Sequence, residues 1–345
     1  MGHRIFSSVA AVSVVAWLAS PAFAQQPSAH NAHKAAAHAG SSIPRTPDGH
    51  PDFEGVWTNE TLTPLQRPAQ FAGKPTVTEA EAKVFENAQA TDLKQEDGAS
   101  DGPIIRAAGS SGTGGYNALF IDRGSQLETI DGVKRTSLIV DPPDGKMPPM
   151  TDEGKKRMGE RMRGYMRSGS DNVKDHPASE RCLIGFGSTS GPPMMPVLYN
   201  NTYQIVQTKD TVMILVEMIH DVRIVRMNGT HPPPSIRAWL GDSIGHWDGD
   251  TLVVDTTNFN EENSYMGMAS PDMHVIERFE RTDANTILYK ATIEDPHTWT
   301  RPWTVEFPFR ATKGPVYEYA CHEGNYAMDD ILGGAEKKAE SQPKK

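Results

Sequence analysis

From Tyr203 onward the chain alternates apolar and polar residues in short runs, each closed by turn-forming residues. The runs are Tyr203–Thr208, Val212–Ile219, Val222–Met227, Ile244–Trp247, Thr251–Phe259, His274–Arg281, Ile287–Glu294, Trp303–Phe309 and Val316–Ala320. Their β-branched and aromatic content and the turn residues that bound them predict strands, with Val212–Ile219 apolar on both faces and Thr251–Phe259 apolar at both parities. Asp248-Gly249, between Trp247 and Asp250, is the sharpest hairpin signal; Lys209-Asp210 and Asp283-Ala284-Asn285 predict further turns. Strands joined by short turns run antiparallel, so the pattern predicts a meander. A meander this long hides its edges completely by closing into a barrel. A β-propeller is the alternative, although the roughly 40–50-residue repeat typical of one is not visible.

The stretch 60–200 reads differently, as a helical and loop insertion. Thr78 with Glu81 three residues on, followed by Ala82, Val84, Phe85 and Ala88, predicts a capped helix. Gly98–Gly115 is a Gly/Ser-rich loop, Tyr116–Asp122 and Arg135–Asp141 are strand-like, and Pro142-Pro143-Asp144-Gly145 is a turn. A second helix is expected over Asp152–Arg167. Gly55-Val56-Trp57 offers a closing strand and resembles the Gly-x-Trp opening of lipocalin-like barrels. The expected fold is therefore mainly β, a meander closed into a lipocalin-like barrel.

The two ends add a location. Residues 1–24 read as a signal peptide: His3 and Arg4, an apolar run Ile5–Leu18, then Ala22-Phe23-Ala24 as cleavage site. The apolar run is about 14 residues, short of the roughly 20 that span a bilayer. Residues 25–43 read as a disordered leader, 44–332 as one β-rich domain and 333–345 as a disordered tail. The expected location is periplasmic or extracellular. Net charge is −10 with no basic block beyond a short run at Lys155–Arg167, which argues against a nucleic-acid partner. In an oxidising compartment the two cysteines, Cys182 and Cys321, are expected to pair. A closed loop of that size is worth about 4–5 kcal/mol by chain-entropy reasoning.

Three polar groups interrupt the apolar strands. In His274–Arg281, Val275, Glu277 and Phe279 share one face, which turns Glu277 inward, either as a general acid or base with a raised pKa or as a salt-bridge partner. Glu217, His220, Asp221 and Arg223 border another apolar run, where His220 is a candidate base or acid and the alternative is a hairpin turn with an incidental ion pair. Either Asp255 or Asn258, not both, faces inward, and Asn258 is taken as substrate-binding. His322 and Glu323 follow Cys321, and a bridge to Cys182 would bring His322 near Arg181. Nucleotide, nucleophile-elbow and zinc-protease motifs are missing from the sequence. No cofactor is expected; Asp248 and Asp250 are a weak Ca²⁺ candidate in their hairpin.

The blocks RTSLIVDPPDG (135–145), ERCL (180–183), YNNTYQIVQ (199–207), WDGDTLVV (247–254) and YEYACHEGN (317–325), with Tyr116-Asn117 and Asp122-Arg123-Gly124, form a set. Together they resemble a largely uncharacterised family of secreted β-rich proteins from Gram-negative bacteria. The resemblance implies that the Tyr116, Arg123, Arg181, His220 and His322 blocks are better site candidates than isolated residues. The expected function is a secreted enzyme using acid–base chemistry on aromatic or apolar small molecules, lignin-type aryl ethers among them, as a cofactor-independent lyase or hydrolase. Glu217, His220, Arg223, Glu277 and His322 are its expected catalytic set; Tyr116, Asn117, Arg123, Arg181 and Asn258 are its expected substrate contacts. The alternative is a non-catalytic periplasmic protein binding a hydrophobic ligand.

Overall fold

The computed structural model describes residues 43–98, 121–168, 176–185, 189, 191–260, 262, 268–324 and 326–340. The expected signal segment, the leader up to Ser42, the loop at 99–115, and Tyr116 and Asn117 lie outside the described residues. In chain order the strands are β1 (Gly55–Thr58), β2 (Thr76–Val77), β3 (Thr129–Ile130), β4 (Val133–Arg135), β5 (Ile139–Asp141), β6 (Thr202–Gln207) and β7 (Thr211–Val216). They continue as β8 (Val222–Met227), β9 (Asp242–Asp248), β10 (Thr251–Thr257), β11 (His274–Asp283), β12 (Thr286–Glu294) and β13 (Trp303–Ala311). The helices are α1 (Glu79–Gly98), α2 (Asp152–Ser168) and α3 (Ala327–Glu340).

Strand β1 pairs with both β6 and β13, and β6 through β13 are neighbours in sequence order, so the sheet closes on itself as a barrel rather than a propeller. Strand β1 contains the Gly55-Val56-Trp57 tripeptide expected to close the ring. Strand β5 adds to β13 at the rim, and β2, β4 and β3 make a separate small sheet. The helix signals hold locally. Glu81 N–H donates to Thr78 Oγ1 at 3.3 Å and Thr78 N–H donates to Glu81 Oε2 at 2.9 Å, a capping box at the start of α1. Phe71, Val77, Ala82 and Leu127 form a small apolar cluster beneath that helix. Among the described residues no helix is long and apolar enough to cross a membrane.

Four expectations need correcting. The meander is broken at β8 and β9, which run parallel, with Val225 opposite Ser243 and Met227 opposite Gly245. The connection between them, Asn228–Gly241, carries His231-Pro232-Pro233-Pro234 and is far too long for a hairpin; it returns the chain to the end from which β8 started. Gly245 is required at this seam, because a Cβ there would lie 2.8 Å from Val225 Cγ1 and 2.9 Å from Met227 Sδ. The stretch Arg135–Asp141 is two strands, since Thr136 turns aside to donate to the Lys74 carbonyl at 2.6 Å. Val316–Ala320 forms no strand, as β13 already pairs with β12, β1 and β5. The expected frayed tail is helical in α3 as far as Glu340.

Strand alternation fills the barrel with side chains. Tyr203, Tyr289, Phe279, Phe307 and Phe309 are fully buried, and ring centroids along the Tyr203–Phe309–Tyr289–Phe279 column are 5.1–5.2 Å apart. One end is stoppered by Phe53 and Trp57, with the Arg281 guanidinium 5.0 Å from the Trp57 ring centre. His50 stacks on Trp247 at 4.3 Å on the same side. Within this apolar filling sits one ion pair. Arg223 Nη1 and Nη2 donate to Glu277 Oε1 and Oε2 at 2.9 and 2.5 Å, with side-chain exposures of 1% and 0%. Tyr289 also donates its hydroxyl to Glu277 Oε1 at 2.8 Å and accepts the Met194 N–H at 3.0 Å.

Removing one partner of a sealed pair leaves an uncompensated charge, which costs more than the intact pair contributes. Arg223→Ala and Glu277→Ala are each expected to lower unfolding free energy by about 3–5 kcal/mol. The double change Arg223→Met/Glu277→Leu should cost less than either single change, as measured by urea denaturation. Equal or additive losses would contradict this account of the pair.

Candidate functional site at the open end of the barrel

The end opposite Phe53 is polar. Strand β1 continues past Thr58 into Asn59 and Glu60, where the Asn59 N–H donates to the Asn201 carbonyl at 3.2 Å. Asn59 is buried, donating through Nδ2 to the Met194 carbonyl at 3.0 Å and to the Tyr203 hydroxyl at 3.3 Å. Asn201, also fully buried, ties two loops together. Its Nδ2 donates to the carbonyls of Asp122 at 2.5 Å and Val197 at 2.9 Å, and its Oδ1 accepts the Val197 N–H at 2.8 Å. The Asp122 N–H in turn donates to the Leu198 carbonyl at 2.7 Å.

This lattice sets two carboxyl groups side by side. The half-buried Asp122 and Glu60 side chains hydrogen-bond to each other. Burial first, then Glu60, then the charge of Glu217 nearby push the Asp122 carboxyl up to about 9, against a weaker pull from Asn201. Two carboxyls in contact cannot both ionise freely, so the pair holds a proton in neutral solution. Close backbone approach makes the juxtaposition possible. Gly124 has φ +68°, and a Cβ there would lie 3.0 Å from Thr61 N and 3.1 Å from Glu60 C.

Glu217 completes the set from the end of β7. It is buried, and burial raises its pKa despite hydrogen bonds from Asn200, Thr202 and the Tyr317 backbone. Asn200, at φ 56°, donates Nδ2 to Glu217 Oε1 at 2.5 Å. Glu217 Oε2 is enclosed and has no hydrogen-bond partner among the described residues. The next residues make a tight 3-10 turn, Met218–His220, with Ile219 at φ 61° and His220 at φ 47°. A β-branched residue in the left-handed region is strained, and such strain gathers at sites under functional constraint. The disulfide between Cys182 and Cys321, with Cα atoms 5.9 Å apart, ties the segment carrying Tyr317 to the 176–185 loop. That loop reaches back to this end, where the Gly185 N–H donates to Asp221 Oδ2 at 3.2 Å.

The other sequence candidates are scattered. Arg223 and Glu277 are sealed in the barrel interior, where a substrate cannot reach them, so their burial assigns them an architectural role. His220 lies at the open end but points to solvent, and His322 is exposed beyond the disulfide. Arg123, beside Asp122, donates Nη2 to the Gln89 carbonyl at 3.2 Å, and Arg181 pairs with Glu262. Asn258 is buried and donates to the Pro232 carbonyl at 3.0 Å, while Asp255 turns outward. Asp248 and Asp250 are occupied by arginines, Arg278 at 2.7 Å and Arg45 at 2.6 Å. Among the described residues no group of three or more His, Cys, Asp or Glu side chains is arranged to hold a metal ion.

Glu60 and Asp122 carried no signal as a pair, since Glu60 lies in no periodic segment and Asp122 only closes the strand-like Tyr116–Asp122 run, with nothing to name Glu60 as its partner. The available hints were Gly124, two residues after Asp122, and the Asn200-Asn201 dipeptide, both of which promise special backbone geometry.

Gly124→Ala is expected to destabilise the protein by about 1–2 kcal/mol from its left-handed backbone alone, more once the Glu60–Thr61 backbone is displaced. Thermal or urea unfolding measures this; an unchanged stability would show that Asp122 and Glu60 are not held together by this contact. No family model, no curated protein and no solved structure matches the chain, so the functional reading rests on the carboxyl geometry itself.

Proposed function

We propose that the chain is an exported hydrolase that uses the Glu60–Asp122 pair for acid–base chemistry on aromatic or apolar small molecules. What supports the reading is the half-buried Asp122 carboxyl beside half-buried Glu60, pushed up to about 9 by burial first and then by that neighbour. Such a pair can divide two roles in one step. The ionised member takes a proton from water as the water oxygen attacks a carbonyl carbon. The neutral member gives its proton to the carbonyl oxygen, so no free oxyanion forms. When the tetrahedral intermediate collapses, the carbon–oxygen bond to the leaving group breaks and a proton returns to the leaving oxygen.

Contact between the carboxyls argues against inverting glycoside hydrolysis, which needs about 6.5–9.5 Å between them. It favours esters and lactones, with aryl ethers of the lignin type as a second substrate class. Glu217 is a reserve proton carrier beside the pair, and Arg310, whose charge reaches Glu60, and Arg123, next to Asp122 in the chain, are candidates for steadying negative charge. The exposed Tyr317 and Leu183 give the rim an apolar surface for an aromatic ring.

The test incubates purified mature chain with aromatic esters, lactones and ethers and follows products by mass spectrometry. Asp122→Asn and Glu60→Gln should each lower turnover by about 10²–10⁴-fold while leaving the circular dichroism spectrum unchanged. Activity should fall as pH rises through about 9, where the Asp122 proton is lost. Full turnover in both variants would sink the assignment; saturable binding without product would move it to the ligand-binding alternative.

A further inference from the structure

Helix α2 carries arginines on the face that an amphipathic helix keeps apolar. Gly154 lies flush against the body of the protein, where a Cβ would stand 2.8 Å from the Thr298 carbonyl oxygen. Arg157 and Arg161, three and seven residues further on, share that face. Met158 and Met162 are instead 38% and 57% exposed. Arg157 is fixed chiefly by neutral acceptors: its Nη2 donates to Thr298 Oγ1 at 2.5 Å and to the carbonyls of His297 and Met268 at 3.4 and 3.5 Å. Glu153 meets its Nη1 only at 3.5 Å and also faces His297 Nδ1 at 3.1 Å.

A third guanidinium comes from the loop that carries the disulfide. Arg181, next to Cys182, pairs with Glu262, and the charge of Glu262 also reaches Arg161. Burial first, then the like charge of Arg157, lower the Arg161 pKa, and Glu262 opposes them. The Glu262 side chain is 50% exposed, against 14% for Arg181. Arg157 and Arg181 each bury an Nε–H that has no acceptor among the described residues. A buried donor without an acceptor costs more than a made hydrogen bond contributes, and like charges at i and i+4 repel. An anion with several oxygens would remove both costs.

We propose that Arg157, Arg161 and Arg181 form a binding site for a small oxyanion of the phosphate or sulfate class, which displaces the Glu262 carboxylate when it binds. A tetrahedral dianion offers oxygens in several directions, so one edge can take a guanidinium fork while another oxygen takes an Nε–H. A bridge to a half-exposed carboxylate is weak and readily exchanged. The helix supplies two of the arginines at a fixed spacing, and the disulfide holds the third in place from the loop. This cluster stands independently of the Glu60–Asp122 pair, because it gathers positive charge where that pair gathers carboxyls.

The experiment titrates the full mature chain with inorganic phosphate and with sulfate, against sodium chloride at matched ionic strength. Calorimetry reads the affinity, and proton–nitrogen spectra of the arginine side chains read the Nε–H groups. Wild type should bind saturably, with the Arg157 and Arg181 Nε–H signals shifting together. Arg161→Gln and Arg181→Gln should each weaken binding by at least about tenfold. Glu262→Gln should tighten it by about threefold or more, because the competing carboxylate is gone. That change is at a half-exposed side chain and keeps the test decisive if an arginine variant fails to fold. No saturation beyond the chloride control, Nε–H signals that stay in place, folded arginine variants of unchanged affinity, or Glu262→Gln binding no tighter than wild type would each overturn the site. So would binding to vesicles of anionic phospholipid with no uptake of free phosphate or sulfate, since α2 would then be meeting a membrane surface.

Discussion

A guanidinium and a carboxylate sealed together inside the barrel set the terms for the rest of the molecule. Arg223 and Glu277 come from β8 and β11, and between those strands lies the parallel seam. Sealed charges must be paired in the right place or not at all, so the ion pair rejects any register that leaves either one alone. Tyr289 is drawn onto the same carboxylate, and through the Met194 N–H the pair is linked to the loop that covers the open end. Around it the aromatic column fills the available space. The barrel interior is therefore filled by side chains, and the polar lattice lies at its rim.

At the rim the same accounting has a different result. Asn59 and Asn201 are buried; Asn59 bonds the Met194 carbonyl and the Tyr203 hydroxyl and Asn201 bonds backbone groups, which fixes the loops carrying Glu60 and Asp122. Burial first, then the neighbouring Glu60, push the Asp122 carboxyl up, while Arg310, whose charge reaches Glu60, is also engaged by Glu128. Glu217, with one oxygen bonded to Asn200 and the other enclosed without a partner among the described residues, adds a third carboxyl at this end of the barrel. A stable core tolerates such an arrangement; a reaction that consumes and returns a proton can use it.

Much of the scaffold could be read from sequence because its physics is local. β-branched and aromatic runs bounded by turn residues located β6 to β13, and alternation in His274–Arg281 turned Glu277 inward, where it is found. The Thr78–Glu81 capping box and the Cys182–Cys321 bridge were likewise visible. What escaped depends on long-range meeting. Arg223 lies 54 residues from Glu277, and nothing in β8 names its partner. The parallel seam follows from a crossover whose direction the proline run does not specify. His220 drew attention as an imidazole beside a carboxylate, but the strained Ile219 turn sends it to solvent. The Glu60–Asp122 pair joins segments 62 residues apart and exists only once Asn201 and Gly124 have brought the loops together.

The central claim is that one carboxyl of this pair keeps its proton in neutral solution. Carbon-13 spectra of the mature chain with labelled aspartate side chains, followed across pH, read that proton directly, with Asp122→Asn assigning the resonance. The account predicts an Asp122 carboxyl still protonated at neutral pH and titrating in the alkaline range. A carboxyl that titrates with the ordinary aspartates, already ionised at neutral pH, would contradict it.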